Sequence, residues 1–169
     1  MGEGVLFFYI DASALAKRYV VEIGTPVVNH LFTRVTPHRF TVFNVDVAEV
    51  FSVLVRQRNT NRLSPAAFSQ ALVDFGAEVV HAASLRKAVA ENALVTAALP
   101  LIEAHSINST DAVILRSALD LAAQLRAGGD DLVLVASDQR LLKAAQAEGL
   151  VTLDPETQDA AALDVLLAT

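Results

Sequence analysis

Four acidic residues are candidates for metal or acid–base chemistry: Asp11, Glu49, Asp111 and Asp138. Each lies at or near a point where a predicted strand ends or a predicted helix begins. Carboxylates that converge repel one another and bind a hard divalent cation such as Mg²⁺ through oxygen, with waters completing the shell. A cation held in this way activates water and stabilises the leaving oxygen in phosphodiester hydrolysis. These residue types therefore suggest metal-assisted hydrolysis, provided that the fold brings them together.

Helix capping is the competing explanation for each acid taken singly. Asp and Ser are favoured at helix starts, where a cap or a dipole contact contributes ~0.5–2 kcal/mol. Around the predicted helix, three residues lie about 140°, 180° and 220° away from Asp111: Arg116, Asp120 and Gln124. Those three residues form its polar stripe, so we expect Asp111 to point toward the sheet, where a carboxylate needs a cation or several donors.

Glu49 gives a weaker signal than Asp111. Asp46, Ser52 and Arg56 share its side of the predicted helix, which is typical of a stripe that faces solvent. Considered alone, Glu49 is therefore expected on the surface.

Predicted strands alternate with predicted helices along the chain. Residues 5–10 form an unbroken apolar run, typical of a strand buried on both faces, and a helix opens directly after it at Ser13. Sites in open α/β sheets lie at the carboxyl ends of such strands. Further strands are predicted at 39–43, 78–81, 132–136 and 150–153. Further helices are predicted at 22–33, 46–58, 64–75, 85–99, 111–127, 137–148 and 159–168. This alternation predicts an α/β fold with a mostly parallel sheet of four to five strands.

Composition predicts one domain spanning 1–169 and excludes several function classes. The net charge of −6 argues against a protein that holds nucleic acid mainly by bulk positive charge. The mean hydropathy of +0.43 is high, yet no apolar run reaches the ~18 residues of a membrane span. We therefore expect the excess of apolar residues to be buried in an interface, as in a homodimer. We expect no contact with a membrane. Without cysteine, disulfides and thiol chemistry are excluded, and a cytoplasmic location fits. No glycine-rich nucleotide-binding motif is present.

Four segments resemble the successive motifs of PIN-domain ribonucleases, and most closely those of VapC-type toxins from type II toxin–antitoxin systems. They read YIDASALAK at 9–17, AEV at 48–50, STDA at 109–112 and VASDQRLLKAA at 135–145. The resemblance spans nearly the whole chain. Two positions depart from it: Ile114 stands where many relatives have histidine, and Asn44 where serine or threonine is frequent.

The resemblance implies a PIN-like fold and a role for specific residues. Asp11, Glu49, Asp111 and Asp138 would be the catalytic and metal-binding acids. Ser13 and Ser137 would be their polar neighbours. It also implies Mg²⁺ or Mn²⁺ as cofactor, RNA as substrate, a cognate antitoxin and a homodimer.

Three basic residues are candidate contacts for substrate phosphates, because they lie close in sequence to Asp11 or Asp138: Lys17, Arg18 and Arg140. The alternative to a nuclease is a non-catalytic PIN-like scaffold that binds RNA or a protein partner. Four intact acids favour the enzyme.

Overall fold

A computed structural model describes residues 4–168 of the chain. Its strands are β1 (Leu6–Ile10), β2 (Phe40–Phe43), β3 (Arg86–Ala88), β4 (Asp131–Val135) and β5 (Val151–Leu153). They form one sheet in the order β3-β2-β1-β4-β5, and every neighbouring pair is parallel. The predicted α/β fold, with a mostly parallel sheet of four to five strands, is confirmed.

Eight α-helices flank the sheet within residues 4–168. They are α1 (Ala12–Leu15), α2 (Thr25–Arg34), α3 (Asn44–Asn59), α4 (Pro65–Phe75), α5 (Asn92–His105), α6 (Ser109–Ala127), α7 (Gln139–Ala147) and α8 (Ala160–Leu167). None of them is long and apolar enough to cross a bilayer. The final helix, predicted at 159–168, is α8, with Asp159 as its N-cap.

The central strand β1 is covered on both faces, which explains its unbroken apolar sequence. Phe8 and Ile10 point into a core shared with α1–α4 and α8. Tyr9 points to the opposite face, into a core shared with α5–α7. This alternation follows from the two-residue period of a strand.

The strand predicted at 78–81 is wrong. Gly76–Val80 is a π-helical turn that continues α4. Val79 is fully buried in the core, and Glu78 accepts hydrogen bonds from Arg18 Nε (3.0 Å) and Nη2 (2.6 Å). The turn follows α4 without a break, so helical hydrogen bonding continues where the apolar composition suggested a strand.

The helix predicted at 85–99 is also wrong in its bounds. Its first residues form β3, which pairs with β2 in the register Thr41↔Arg86. Helix α5 begins later and runs through Pro100 to His105. Ala98 and Leu101 are buried against α6, and this packing maintains the helix across a proline that sequence reasoning treats as a stop.

Candidate functional site

The structure brings the four predicted acids to one cavity of about 350 Å³, called here the acid cavity. It lies at the carboxyl edge of the sheet, between the end of β1, the start of α3, the start of α6 and the start of α7. Its lining is Asp11, Ser13, Glu49, Asn108, Ser109, Thr110, Asp111, Ile114 and Asp138. Residues far apart in sequence meet there because parallel strands end at the same edge.

Asp11 is the buried member of the set, with 6% of its surface exposed. Its amide donates to Val135 O (2.9 Å), which fixes it against the end of β4. Its Oδ2 accepts hydrogen bonds from Ser13 N (3.0 Å) and Ser13 Oγ (2.5 Å). Burial raises the pKa of Asp11, the bonds from Ser13 oppose this rise, and the charge of Asp138 adds to it.

Ser13 joins the ends of two strands. Its hydroxyl donates to Asp11 and accepts from Ser137 N (2.9 Å), so one side chain connects the turn after β1 to the turn after β4. The Ser137 hydroxyl is buried and has no hydrogen-bond partner within residues 4–168. Both predicted polar neighbours therefore lie beside Asp11.

Asp111 stands in the first turn of α6, and its capping partner is Asn108. Asn108 Oδ1 accepts from Asp111 N (2.8 Å), while Asn108 Nδ2 donates to Asp111 Oδ2 (2.7 Å). The helix thus begins at Ser109, earlier than predicted, with Asn108 in the capping role expected for Ser109 and Thr110. Because Asn108 holds one oxygen, the orientation of the carboxylate at the cavity wall is set.

The pKa of Asp111 is raised to about 6. Burial is the largest cause, followed by the charges of Asp138, Asp11 and Glu49, and the charge of Arg140 opposes the rise. Charges that raise the pKa of Asp111 must lie close to it, which agrees with the shared cavity.

Asp138 and Glu49 are the exposed acids of the cavity. Asp138 is the N-cap of α7, and its Oδ1 accepts from Arg140 N (2.8 Å) and Leu141 N (3.1 Å). Asp138 therefore caps α7 and also lines the acid cavity with the other three acids. Glu49 lines the cavity from α3, although its helix stripe alone suggested the surface.

Asp46 is a buried acid that sequence reasoning assigned to a solvent-facing stripe, and that assignment is wrong. Its exposed fraction is 0%, and neither carboxylate oxygen has a hydrogen-bond partner within residues 4–168. Burial, then the charges of Asp11 and Glu49, raise its pKa to about 9; the nearby Ala12 amide offsets part of the rise, and the Asp111 charge adds slightly to it. One feature of the sequence could have indicated that Asp46 lies at the site: it is one helical turn before Glu49, on the same side of α3.

Lys17 and Arg18, predicted as candidate phosphate contacts, have other partners in the structure. Lys17 is 3% exposed, and its Nζ pairs with Glu156 (2.6 Å) and Glu22 (3.3 Å). Arg18 pairs with Glu78 (2.6 Å). Neither residue lines the acid cavity, and a cation that is already paired is a poor site for a phosphate.

Arg140 is the exception among the three basic candidates. Its side chain is exposed and makes no hydrogen bond or ion pair in the part of the chain that the structure describes. Its charge acts on Asp111, which places its guanidinium near the acid cavity. It stays a candidate phosphate contact.

The donor set fits a hydrated divalent cation. Within residues 4–168, no group of three acidic or histidine side chains is arranged to hold a metal ion by itself. The acid cavity instead combines carboxylate oxygens with charges that raise the pKa of Asp111. Outside its lining, Asp46 and Ser137 have buried oxygens without a hydrogen-bond partner among the described residues. Mg²⁺ prefers such a site, because it retains several waters and takes few carboxylates.

Searches against family models and curated proteins find no match to this sequence. Two solved structures are similar across most of the chain. PAE2754 from Pyrobaculum aerophilum is 21% identical with a TM-score of 0.58, and the match covers 97% of this chain and 98% of that one. VapC20 from Mycobacterium tuberculosis, a sarcin–ricin loop cleaving toxin, is 17% identical with a TM-score of 0.58, covering 90% and 99%. The chain therefore shares the PIN-like α/β fold of these two structures.

Proposed function

We propose that the protein is a metal-dependent endoribonuclease that hydrolyses RNA phosphodiester bonds, and that it is the toxin of a type II toxin–antitoxin pair. The main observation in support of this function is that four acids from distant parts of the chain line one cavity at the carboxyl edge of the sheet. The motif resemblance and the fold shared with a sarcin–ricin loop cleaving toxin support RNA as the substrate. A cytoplasmic location belongs to the same proposal.

Asp11, Glu49, Asp111 and Asp138 would hold Mg²⁺ or Mn²⁺. When bound, such an ion would stabilise negative charge on phosphate oxygens and would lower the pKa of a water molecule bound to it. Ser13 orients the Asp11 carboxylate through two hydrogen bonds, so this oxygen is fixed before a ligand arrives.

Arg140 is the protein cation best placed to receive a substrate phosphate. Its guanidinium acts on Asp111 across the cavity wall and has no side-chain partner within the described residues. A planar guanidinium binds phosphate through two parallel hydrogen bonds.

The decisive test replaces single acids. We expect Asp11→Asn and Asp111→Asn each to lower RNA cleavage by at least about 100-fold, because each removes a ligand charge from the metal. The measurement is cleavage of a sarcin–ricin loop RNA and of total RNA with Mg²⁺ or Mn²⁺, and with EDTA. Asp74→Asn, at an exposed acid on α4, is the matched control and keeps activity. Full activity of either site variant, or activity in EDTA, contradicts the proposal.

A non-catalytic scaffold is the second candidate. The observation in its favour is that no three acids within residues 4–168 are arranged to hold an ion by themselves. The same assay separates the two functions: a scaffold retains RNA in a binding assay, leaves it uncut with either metal, and is indifferent to Asp111→Asn.

The partner belongs to the proposal as well. Without metal, the acid cavity is a patch of negative charge, which suits an inhibitor that presents an arginine. We expect expression of this chain alone to arrest growth, and co-expression of the small neighbouring gene product to relieve the arrest. A purified complex that cuts RNA as fast as the free chain contradicts this inhibitor role.

A further inference from the structure

A second and larger cavity, called here the α5–α6 cavity, lies between the β1–β3 part of the sheet and helices α5 and α6. Its volume is about 580 Å³, and none of the four acids of the acid cavity lines it. Its polar and charged lining residues are Tyr9, Thr41, Arg86, Lys87, Glu91, Ser117, Asp120 and Gln124. A space of this size and polarity holds a polar ligand rather than a hydrocarbon.

Arg86 is a cation without a partner at this cavity. Its side chain forms no ion pair or hydrogen bond within residues 4–168, whereas Arg116, on the neighbouring helix, is paired with Asp120. Its charge acts on the Tyr9 hydroxyl, so it lies near the polar floor of the cavity. An unpaired guanidinium beside a cavity indicates an anionic ligand group.

Two hydroxyls add hydrogen-bonding capacity on buried or half-buried residues. Tyr9 Oη donates to Ser117 Oγ (2.9 Å), which leaves the Ser117 proton without an acceptor in the described part of the chain. Thr41 is 3% exposed, lines the cavity, and has no side-chain hydrogen bond among the described residues. Both hydroxyls are therefore available to donate to a polar ligand in the cavity.

The start of α5 contributes backbone donors. Glu91 occupies its N-cap without a capping hydrogen bond from its side chain, and Ala93 and Leu94, in the first turn, line the cavity. The first amides of this 14-residue helix therefore lack a side-chain acceptor. Uncapped amides at a helix start favour a phosphate oxygen.

The remaining lining suits the rest of a nucleotide. Asp120 and Gln124 offer acceptors for sugar hydroxyls and base amines, and Val89, Leu94 and Leu121 offer apolar surface for a base. A simple anion would use only the donors, whereas a ribonucleotide uses both groups.

Helix α6 contributes lining residues to both cavities. Asp111 and Ile114 line the acid cavity, and Ser117, Leu121 and Gln124 line the α5–α6 cavity on the following turns. Asp111 and Ser117 are about 9 Å apart along the helix axis. This separation is short enough for one bound RNA strand to contact both cavities.

We propose that the α5–α6 cavity is a ribonucleotide subsite, in which Arg86, Thr41 and the start of α5 hold the phosphate of a substrate nucleotide near the cleaved bond. The inference rests on the proposed ribonuclease function and adds a specificity site to it.

Binding of the four ribonucleoside 5′-monophosphates in EDTA, by calorimetry, tests the subsite apart from catalysis. We expect the unmodified chain and Asp111→Asn to bind at least one of them equally well. Arg86→Gln should weaken this binding by about tenfold or more, and Thr41→Val by about two- to tenfold. Arg62→Gln is the matched control, since Arg62 is also exposed and unpaired within the described residues but lies outside the cavity; its binding should stay within about twofold. Thermal melting confirms that each variant is folded.

Cleavage kinetics give the second readout. Arg86→Gln should raise KM severalfold with kcat within about twofold, because it removes binding rather than chemistry. Cleavage that is unaffected by Arg86→Gln, absence of mononucleotide binding, or inorganic phosphate competing as strongly as the nucleotides each overturns the subsite. Nucleotide binding that depends on Arg86 in a chain that cuts no RNA supports the subsite and overturns the ribonuclease.

Discussion

Asp46 is a buried acid whose carboxylate has no partner among the described residues to offset the cost of burying a charge. It is fully buried, its oxygens have no partner within residues 4–168, and its neighbours in charge are the site acids. Its folded pKa of about 9 exceeds the ordinary 3.8, so the folded state binds a proton that the unfolded state releases. Its contribution to stability is therefore fully present below about pH 4 and is lost as pH rises toward 9.

We expect Asp46→Asn to raise the melting temperature of the metal-free protein at pH 8, and to flatten the pH dependence of melting between pH 4 and 9. Asparagine keeps the shape of the side chain and removes the charge that burial penalises. Thermal melts in EDTA across this range are the measurement, with the exposed Asp74→Asn as a control that shows no such change. A lower melting temperature for Asp46→Asn at pH 8 would contradict the argument.

Asp111 predicts a pH dependence of metal binding. With a pKa of about 6, it is mostly protonated at pH 5 and mostly ionised at pH 7. A protonated carboxyl does not bind the cation, so Mn²⁺ affinity should increase by about tenfold from pH 5 to pH 7. Calorimetric titration at the two pH values measures this, and Asp111→Asn should bind weakly with a smaller pH dependence. Equal affinity at both values for the unmodified chain would show that this carboxyl is not a ligand.

The site residues were predictable where a strand end and a helix start coincide. Asp11 and Asp138 follow strong apolar strands, so their shared edge follows from the parallel sheet. Asp46 was missed because the helical projection treats α3 as an isolated helix in water. In the fold, α3 begins directly after β2, so Asp46 in its first turn is buried and close to the charges of Asp11 and Glu49.

Helix α5 is the element in which tertiary packing outweighs local sequence preference. Pro100 lies inside the helix and has no N–H for the carbonyl of Thr96. Sequence reasoning ends the helix there, because the buried contacts of Ala98 and Leu101 with α6 are not visible in the local pattern. The same limit explains β3, whose three residues form a strand through pairing with β2.

We expect Pro100→Ala to raise the free energy of unfolding by about 1–3 kcal/mol, because it restores a helical hydrogen bond and removes a clash. Chemical denaturation of both proteins is the measurement. Pro65→Ala is the matched control, because Pro65 occupies the first position of α4, where proline is favoured and no N–H is needed. Destabilisation by Pro100→Ala would mean that the proline fixes a bend on which packing depends.

At the scale of the whole molecule, exposed apolar side chains indicate an interface. Large side chains with more than half of their surface exposed include Val21 (91%), Ile23 (71%), Val165 (68%), Val73 (65%) and Leu99 (56%). Where such side chains lie together in one patch, they mark contact with another chain. Composition already predicted this excess, but not its position, which depends on how the helices pack.

We therefore expect a homodimer in solution, with a mass about twice the 18.0 kDa of one chain. Light scattering coupled to size exclusion at micromolar concentration measures it. Val73→Glu places a charge on one exposed apolar position and tests whether that face is the contact, with Glu103→Gln as a surface control. A single species at the mass of one chain would contradict the dimer and leave the apolar surface for another partner.

The pairing of β1 with β4 has a consequence for how such a protein is made. The first strand leaves the ribosome well before its neighbour β4 and the acid that follows it at Asp138. A chain whose synthesis has not reached Asp138 therefore lacks one wall of the acid cavity, and Ser13 lacks its bond to Ser137. If the protein cuts RNA, its site can form only after β4 and Asp138 have been made, and an inhibitor has that time in which to arrive.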